Sequence, residues 1–572
     1  MPYMDAFEAN GKLIEILGQA NAHLVWVLGL YLEEADLESL ASEGLTDGPD
    51  DKKIDFIYFD PDSARIIFAQ GYYSSKKKDA APANKAADLN TASAWLLSGN
   101  INDVPEKLQA VFQVCREALD KGEVVAVELL YVHNLPESVN VTRELQTVAA
   151  HLKASLSEDT GISVSPRELG QSQIENLFSS QESHIEVKKE VSCPAQIQFQ
   201  EKGPNWAASV LTVPGSWLRR LFLKYGEALF SANYRGFLGI TKRRKINTGI
   251  RLTAETTPKD FWVFNNGITL LTYKAKPTKN GTLFKGISII NGAQTTGSVG
   301  SVDTDRHDLK DVRVLCRIIE CSDPETIGDI VRFNNTQNEI TTWDQYSRDP
   351  EQIRLESEFQ ELGYKYSRKR GFRVSGDQIG IEEVAQPLVA FYGRFQDANR
   401  GKNQIFERKP LYNLAFSGKK ARHILLVYAL VRAIDERRIE LKNKSTAGTI
   451  INLEEEQLRL LRNLRFKYFL VAVIASVLET IVGRKVNKET IAFSTEAAKT
   501  KNKSLIDLTA MWSPIVESVV TFLTTQVDSR TLGDRIAEEG ALENISKLIG
   551  AFLYSSRNNQ AFQSFASIVS DS

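Results

Sequence analysis

The sequence predicts a multidomain α/β protein with an N-terminal α/β domain, a central α+β domain and a helical C-terminal region. At 572 residues the chain is too long for a single hydrophobic core. Strand-like and helical segments alternate up to about residue 410, whereas from about residue 420 the apolar positions recur with helical spacing. The predicted divisions are an N-terminal domain over 1–165, a connecting segment over 166–204, a central domain over 205–415 and a helical region over 416–572.

The composition indicates an ordinary soluble protein. Charged residues make up 25% of the chain, and the formal net charge is −2, so a nucleic-acid site would have to be a local patch. The apolar runs "HLVWVLGLYL" and "FLVAVIASVLETIVG" are too short to span a bilayer. The four cysteines and six histidines show no zinc-ligand spacing. We therefore predict a cytoplasmic protein with reduced thiols, no zinc site and no membrane partner.

The N-terminal domain is predicted to contain a strand hairpin flanked by helices. Residues 5–43 have helical periodicity, and the strands "IDFIYFD" and "RIIFAQGYY" are joined by the turn "DPDSA". The helices "NKAADLNTASAWLL" and "VPEKLQAVFQVCREALDKG" follow, and then the strand "VVAVELLYVHN". This order of elements is typical of a small α/β domain.

Polar residues on the hairpin are candidates for a divalent metal site. Strand alternation sets Ile66, Phe68, Gln70 and Tyr72 on one face of the second strand. An aspartate on one strand and an amide on its partner can converge on Mg²⁺ or Mn²⁺, which prefer oxygen ligands. We predict Asp55 and Gln70 as metal ligands and catalytic residues. The structural alternative is an aspartate in a turn and a glutamine hydrogen-bonded in the core.

The lead-in "DGPDDKKID" with Asp55, followed by "AQGY" with Gln70, resembles the Mrr-like branch of the PD-(D/E)xK nucleases. The resemblance implies a restriction-endonuclease-like fold and Mg²⁺-dependent cleavage of DNA or RNA. The family pattern Gln-x-Lys has a lysine where this chain has Tyr72. Some members take that lysine from the following helix, so Lys85 is the predicted catalytic lysine, with residues 76–78 as alternatives.

Three asparagine-rich motifs interrupt apolar runs in the central domain: "FWVFNNGITLL", "ISIINGAQTTGSV" and "VRFNNTQNEITTWD". A single Asn-Gly pair predicts a turn, but three such motifs in one domain favour a ligand site. The second motif has the order strand, tight turn and helix, which offers backbone amides to an anion. The candidate ligand residues are Asn265, Asn266, Asn291, Gln294, Asn334, Asn335 and Gln337.

These motifs, with "YGEALFSANYRGFLG" before them and "LGYKYSRKRG" after them, resemble the AIPR family (abortive infection, phage resistance). The resemblance covers residues 205–375 and, more loosely, most of the chain. It implies bacterial defence against phage, with partner proteins encoded by neighbouring restriction-type genes, but it supplies no catalytic residues. The motif "IINGAQTTGSV" also resembles the "DGQxR" turn of ParB-like nucleotide-using domains, with Asn291 and Thr295 in place of its Asp and Arg. That change argues against triphosphate hydrolysis and leaves nucleotide binding open.

Two basic clusters, "TKRRKINTGIR" and "YKYSRKRGFR", each hold five Lys or Arg and no acid. In the second cluster Tyr364, Tyr366 and Phe372 alternate with cations, a combination suited to nucleic acid. The alternative is a solvated charged face. The predicted nucleic-acid-binding residues are Lys242, Arg243, Arg244, Lys245, Arg368, Lys369, Arg370 and Arg373.

Three functions are therefore compatible with the sequence. The first is a metal-dependent nuclease effector of antiphage defence, in which Glu33 or Glu34 would add a carboxylate through water. The second is a non-catalytic nucleic-acid-binding sensor or scaffold. The third is a nucleotide-dependent switch centred on residues 291–295. The resemblance to nucleases that act as dimers makes a homodimer plausible, with the helical C-terminal region as its candidate surface.

Overall fold

The computed structural model divides the chain into two compact units, residues 1–3 with 172–340 and residues 4–171 with 341–572. The predicted boundaries near residues 165, 204 and 415 stay predictions. The structure describes residues 2–46, 52–98, 100–156, 162–182, 185, 187–233, 244–304, 306–335, 346, 349–368, 371, 378–527, 532, 536, 538, 540–556 and 558–571.

The N-terminal part contains a four-stranded mixed sheet. The antiparallel hairpin β1 (Phe56–Asp60) and β2 (Arg65–Tyr72) is extended by two parallel strands, β3 (Ala126–His133) and β4 (Ser163–Leu169), in the order β1-β2-β3-β4. The helices of this part are α1 (Pro2–Glu8), α2 (Gly11–Leu32), α3 (Leu37–Gly44), α4 (Ala83–Ser98), α5 (Glu106–Asp120) and α6 (Val139–Ser155). The hairpin, the two helices after it and the third strand are thus present as predicted.

Two helical layers enclose this sheet. Ile66 and Phe68 of β2 share a hydrophobic core with buried residues of α4, α5 and α6. On the other face α2 packs against β2, where a side chain at Gly71 would meet Leu24 at 3.2 Å. Because successive strand residues alternate between the faces, Gln70 points to the same side as Ile66 and Phe68.

The central part contains a seven-stranded sheet in the order β5-β10-β8-β11-β7-β6, with β9 paired to β10. Only the β8–β11 pairing among these described strands is parallel. The strands are β5 (Val187–Cys193), β6 (Phe199–Lys202), β7 (Trp206–Pro214), β8 (Ile268–Thr272), β9 (Lys274–Thr278), β10 (Gly281–Asn291) and β11 (Arg313–Cys321). The helices are α7 (Gln171–Glu182), α8 (Gly215–Tyr225), α9 (Arg244–Thr256), α10 (Phe261–Phe264), α11 (Ala293–Gly300) and α12 (Pro324–Asn335).

Two further stretches bear on the sequence prediction. The segment predicted over 166–204, expected to connect the domains and to hold a few strands, contains the strands β5 and β6 together with the end of β4 and helix α7. The stretch "SWLRRLFLKYGEALFSANYRGFLG" has helical character in the sequence, but helix α8 ends at Tyr225, where Gly226 adopts a φ of +52°, and a 3₁₀ segment over Gly226–Asn233 follows. Residues 234–239 of this stretch lie outside the described residues.

The C-terminal part is helical, as predicted. Its helices are α13 (Pro350–Leu362), α14 (Ile381–Phe391), α15 (Phe395–Ala398), α16 (Asn403–Glu407), α17 (Lys409–Phe416), α18 (Ala421–Ala447), α19 (Asn452–Leu461), α20 (Phe466–Ser476), α21 (Leu478–Val482), α22 (Thr495–Ala498), α23 (Leu505–Gln526), α24 (Ala541–Ser556) and α25 (Gln560–Ile568). Short strands form two pairs, β12 (Lys365–Ser367) with β13 (Gln378–Gly380) and β14 (Ile491–Phe493) with β15 (Val569–Asp571). Helix α18 is buried along most of its length.

Buried charges join the N-terminal and C-terminal parts of the unit formed by residues 4–171 and 341–572. The Lys467 ammonium contacts Asp435 at 2.8 Å and Glu43 at 3.0 Å, and the Arg432 guanidinium contacts Asp36 at 2.9 Å. Asp36 and Glu43 flank or end helix α3, whereas the other three residues lie on α18 and α20. These ion pairs connect the two parts although several hundred residues separate them in the sequence.

Among the described residues, two helices have the length and apolar composition that a membrane span requires, α2 and α23. In their most apolar windows 56% and 39% of the residues are buried inside the protein. Helix α2 is longer than the apolar run that the sequence highlights. Core helices of soluble proteins share this character, so cytoplasmic localisation stays a prediction.

Candidate functional site

Polar residues of the N-terminal sheet line up across its four strands. The β1–β2 register sets Asp55, one residue before β1, beside Gln70. Gln70 pairs with Tyr131 on β3, which pairs with Glu168 on β4. We call these four residues the β1–β4 polar row. Paired residues of neighbouring strands point to the same face, so the row lies on the side covered by α4, α5 and α6.

The Asp55 carboxylate is oriented by the backbone of the neighbouring strand. Its Oδ2 accepts a hydrogen bond of 2.8 Å from the Gly71 backbone N–H. The Asp55 backbone N–H in turn donates to the Ala69 carbonyl oxygen at 3.2 Å. The side chain is partly exposed. Asp55 is therefore held at a fixed place at the end of β1, with access to solvent.

Gln70 carries a buried oxygen that makes no hydrogen bond. The side chain is 1% exposed, and its Oε1 has no hydrogen-bond partner among the described residues. Leaving a buried carbonyl unsatisfied costs about 1–3 kcal/mol. The interpretation of Gln70 as a core glutamine satisfied by hydrogen bonds therefore does not explain this oxygen. An amide oxygen beside a carboxylate fits a hard divalent cation such as Mg²⁺.

The predicted lysine and an alternative lysine occupy different surroundings. Lys85 lies in the first turn of α4, partly buried, and its ammonium makes no ion pair or hydrogen bond with the described residues. Tyr72, which replaces the lysine of the nuclease pattern, is instead bound by Lys78. The Lys78 Nζ donates to the Tyr72 Oη at 2.6 Å and lies 5.3 Å from the centre of its ring.

Glu33 and Glu34 do not supply the predicted carboxylate beside Asp55. Glu33 ends helix α2 with a φ of +60°. Both Glu34 oxygens accept from the Lys402 ammonium, at 2.6 and 2.7 Å, and Glu34 lines a cleft with Asp60 at the far end of β1. Five residues of extended strand separate that end from Asp55, which corresponds to about 16 Å.

The sequence prediction missed Tyr131, His133 and Glu168 on the same face. The Tyr131 hydroxyl donates to the Pro82 carbonyl oxygen at 3.2 Å, just before α4. Burial, with Tyr72 and the acids Glu168, Asp55 and Asp88 around it, raises the pKa of Tyr131. Tyr131 and His133 have a signal in the sequence, because the alternation in "VVAVELLYVHN" sets these two polar side chains on one face.

Glu168 lies on the same face as Asp55 but at the opposite edge of the sheet, on β4. Its Oε1 lies 3.1 Å from the Nε2 of the buried His133 and accepts from the Ser138 backbone N–H at 2.9 Å. Its Oε2 accepts from the Thr142 hydroxyl at 3.1 Å. Three strand spacings, about 14 Å, separate it from Asp55. Among the described residues no three His, Cys, Asp or Glu side chains form a group that could hold a metal, so a cation here would depend on Asp55, Gln70, water and substrate.

The structure brings two of the asparagine motifs together in the central sheet. Asn291 pairs with Thr269, and Thr269 pairs with Arg317 of the parallel strand β11. Asn334, near the end of α12, accepts a hydrogen bond from the Arg317 guanidinium through its Oδ1. The Asn291 amide donates to the Asn334 carbonyl oxygen at 3.5 Å. We call Asn291, Thr269, Arg317 and Asn334 the central polar cluster.

The remaining residues of the asparagine motifs have simpler surroundings. The Asn265 amide donates to the Phe261 carbonyl oxygen at 3.0 Å, which closes the short helix α10. Asn266 is exposed, and Gln294 is partly buried in the first turn of α11. Asn335 ends helix α12, and Gln337 lies outside the described residues. Arg317 is the member of the central polar cluster that the sequence prediction missed, because a strand arginine has no motif around it.

The basic clusters are described only in part. Lys242, Arg243, Lys369, Arg370 and Arg373 lie outside the described residues, as does Phe372. Arg244 and Lys245 begin helix α9. The Arg368 guanidinium forms an ion pair with Glu356 at 3.0 Å.

The prediction that Tyr364 and Tyr366 stack on bases is wrong. Both rings belong to the hydrophobic core, with 7% and 5% of their surface exposed. Tyr366 stacks on Phe359 with 4.7 Å between ring centres. Its hydroxyl donates to the Gln352 Oε1 at 2.8 Å. Both rings are therefore occupied by packing inside the protein.

These features define a mixed α/β protein with a helical C-terminal region and a polar site on each of its two main sheets. The family model described as AIPR protein matches residues 230–558, more than half of the chain. The chain therefore belongs to the AIPR family, and this membership indicates a role in abortive-infection defence against phage. No curated protein and no solved structure matches the chain. The central polar cluster lies inside the matched range, whereas the β1–β4 polar row precedes it.

Proposed function

We propose that this AIPR protein is an antiphage effector whose N-terminal sheet hydrolyses phosphodiester bonds of DNA or RNA with Mg²⁺ or Mn²⁺. The observation that carries the proposal is the buried Gln70 Oε1, which makes no hydrogen bond and lies beside the oriented Asp55 carboxylate. Mg²⁺ is commonly bound through one or two carboxylates, with water and substrate phosphate completing its ligands. The donor set of this site is compatible with that mode of binding.

The topology around the site supports the same proposal. An antiparallel hairpin carries Asp55 and Gln70, two parallel strands extend the sheet, and helices cover both faces. This is the arrangement that the resemblance to PD-(D/E)xK nucleases implies. Asp55 lies at the open end of the hairpin and is partly exposed, so a phosphate can approach it from solvent.

The chemistry asked of these residues is the hydrolysis of a phosphate diester. A water oxygen forms a bond to phosphorus, the bond to one ester oxygen breaks, and that oxygen leaves with a proton. Mg²⁺ at the site would supply positive charge beside the phosphate and activate water. Asp55 and Gln70 would fix its place, and a lysine ammonium, Lys85 in the sequence prediction, would stabilise the charge that develops on the phosphate oxygens.

Substrate binding is assigned to the two basic clusters. A nearly neutral protein can bind nucleic acid through local groups of cations that contact phosphates. Residues 242–245 and 368–373 supply such groups, although the ion pair of Arg368 with Glu356 uses part of the second one. Cleavage of both strands of a duplex requires two such sites, so a homodimer is part of the proposal.

The test is cleavage of labelled single-stranded and double-stranded DNA and RNA by the purified full chain with Mg²⁺, Mn²⁺ or EDTA. Asp55→Ala and Gln70→Ala should abolish cutting, and EDTA should do the same to the wild type. Asp103→Ala removes an exposed carboxylate from the same part of the chain and is the matched control. Tight binding without cutting of any substrate would favour the sensor or scaffold function.

A second candidate function is the binding of a nucleotide or another phosphate-containing ligand by the central polar cluster. The Arg317 guanidinium donates to the Asn334 side chain, and the Asn291 amide donates to the Asn334 carbonyl oxygen, so both groups meet at Asn334. A guanidinium has five N–H donors, of which this bond uses one. The turn "IINGAQTTGSV" lacks the arginine of the "DGQxR" turn that it resembles, and Arg317 supplies an arginine near it. Arg317→Ala should abolish binding of ATP measured by calorimetry, whereas Arg306→Ala, at a side chain 82% exposed, should not. Equal binding by both variants would exclude the cluster.

A further inference from the structure

A lysine contacts the tyrosine that stands in the lysine position of the nuclease pattern. Tyr72 follows Gln70 by two residues and points to the same face of β2. The Lys78 Nζ donates to its hydroxyl at 2.6 Å and lies 5.3 Å from its ring centre. Tyrosine and lysine side chains are of similar length. The Lys78 ammonium is therefore delivered within one hydrogen bond of the place that a lysine at position 72 would reach.

The loop that carries Lys78 is tied to the sheet. The Ser74 backbone N–H donates to the Asn134 Oδ1 at 2.9 Å, and the Asn134 Nδ2 donates back to the Ser74 carbonyl oxygen at 2.9 Å. Asn134 directly follows β3, the strand next to β2. The Ser74 hydroxyl also donates to the Lys76 carbonyl oxygen at 2.8 Å. These bonds set the direction of the chain shortly before Lys78.

We propose that Lys78, held by Tyr72 on this anchored loop, is the catalytic lysine of the site. The inference rests on the proposed nuclease function and replaces Lys85 in its mechanism. Lys76, Lys77 and Lys78 are all exposed, but among these three the contact with Tyr72 is made by the Lys78 ammonium. A cation in the first turn of a helix, as at Lys85, also opposes the helix dipole. Lys78 meets no such opposition.

The role of Lys78 follows from its positive charge and from the N–H donors that its bond to Tyr72 leaves available. The ammonium has three donors, of which the Tyr72 hydroxyl takes one. The others can reach the non-bridging oxygens of a phosphate bound between Asp55 and Tyr72. As water adds to phosphorus and the ester bond breaks, negative charge grows on these oxygens, and the ammonium stabilises it. Tyr72 is a positioning residue in this scheme, since it acts through Lys78.

The decisive experiment compares single-turnover cleavage by the full chain carrying Lys78→Ala, Lys85→Ala or Lys77→Ala. Loss of one such charge-stabilising donor lowers a rate by about 10²–10³-fold, and we expect a loss of that size for Lys78→Ala and a smaller one for Lys85→Ala. Lys77→Ala removes an exposed charge from the same loop and is the matched control. A larger loss with Lys85→Ala than with Lys78→Ala would overturn the inference.

A rescue experiment separates catalysis from folding. The double variant Tyr72→Lys with Lys78→Ala restores the Gln-x-Lys pattern of the nuclease family and should recover most of the rate that Lys78→Ala loses. Tyr72→Phe keeps the ring but not the hydroxyl, so it should lose part of the rate. Failure of the double variant to exceed Lys78→Ala, while its thermal midpoint matches the wild type, would contradict the assignment.

Mn²⁺ binding distinguishes this inference from the proposal beneath it. Calorimetry with Mn²⁺ alone should show binding to the wild type and to Lys78→Ala, but not to Asp55→Ala. Cleavage that depends on Asp55 but not on Lys78 would leave the nuclease function standing and refute the inference. Absence of both Mn²⁺ binding and cleavage in the wild type would refute the nuclease function, and the lysine assignment with it.

Discussion

Gly267 and Gly292 bring two backbone segments of the central sheet into direct contact. A Cβ on Gly292 would lie 2.6 Å from the Gly267 carbonyl oxygen, and a Cβ on Gly267 would collide with the Leu315 carbonyl oxygen. The φ of Gly292 is +87° and that of Gly267 is +78°, a region of backbone conformation that favours glycine. Each belongs to an Asn-Gly pair of the asparagine motifs. Packing therefore requires the glycines of these motifs, whatever the neighbouring amides bind.

The first prediction concerns the stability of this contact. Gly292→Ala should destabilise the central part by more than about 1 kcal/mol, because alanine is strained at positive φ and its Cβ would overlap the main chain. Gly297→Ala is the matched control, since it lies in α11 with open space around it. That control should be neutral or stabilising by up to about 1 kcal/mol. Thermal melting of both variants would measure the difference, and an unchanged midpoint for Gly292→Ala would show that the segments separate freely.

A second prediction concerns the buried Lys467. Burial opposes its charged form, but Asp435 and Glu43 raise the pKa of Lys467, and its side chain is 4% exposed. Lys467→Met should cost about 3–5 kcal/mol, because it leaves Asp435 charged and buried without its partner. Lys547→Met breaks a pair whose two side chains are each 71% exposed, and it should leave the stability nearly unchanged.

Urea denaturation measures both costs. The double variant Lys467→Met with Asp435→Leu should recover part of the loss, since an apolar pair of similar volume often replaces a buried ion pair without penalty. Equal midpoints for Lys467→Met and Lys547→Met would contradict the assignment of Lys467 to the interior.

A third prediction concerns acid sensitivity. Burial, with a smaller contribution from His133, lowers the pKa of His23 to about 3, and burial lowers the pKa of His423 to about 4. In the unfolded chain the pKa of both histidines would lie near the ordinary value of 6.5. Their contribution to stability is thus complete above pH 6.5 and is lost as the pH falls, by up to about 1.4 kcal/mol per pH unit for each histidine.

Thermal midpoints between pH 7 and pH 5 would test this expectation. The His23 ring packs against Phe7 at 5.3 Å, so His23→Phe keeps an aromatic ring and removes the titration. We expect a shallower pH dependence in that variant than in the wild type. His151→Asn changes an exposed histidine and should leave the slope as it is. An equal slope in all three proteins would show that His23 does not titrate with unfolding.

Three strands of the N-terminal sheet could be predicted because their signals are local, whereas β4 was not among the predicted strands. Alternation in "RIIFAQGYY" gave the strand and the face of Gln70, and the turn "DPDSA" gave the hairpin. The sequence does not predict which of the asparagine motifs come together, since their spacing does not specify which strands are neighbours. The parallel pairing of β8 with β11, which brings Arg317 beside Thr269, depends on the whole sheet.

Other features depend on contacts between residues far apart in the sequence. Tyr364 and Tyr366 alternate with cations, yet the core around Phe359 takes both rings, because burial of aromatic surface outweighs a local pattern. Glu34 follows the first long helix, yet it binds Lys402. The hydrogen bond between Lys78 and Tyr72 could not be predicted either, since the sequence does not show that Asn134 fixes the loop between these two residues.

The fourth prediction sets stability against function at Gln70. Gln70→Leu removes the buried Oε1 that makes no hydrogen bond, so it should leave the thermal midpoint unchanged or raise it. It should also abolish Mn²⁺ binding and metal-dependent cleavage. Gln109→Leu is the matched control, because the Gln109 amide donates to the Val104 carbonyl oxygen at 2.8 Å and its loss should cost about 0.5–1.5 kcal/mol. A Gln70→Leu protein that melts earlier and still binds Mn²⁺ would show that Gln70 is a structural residue, because only a side chain kept for ligand binding is expected to cost stability in the free protein.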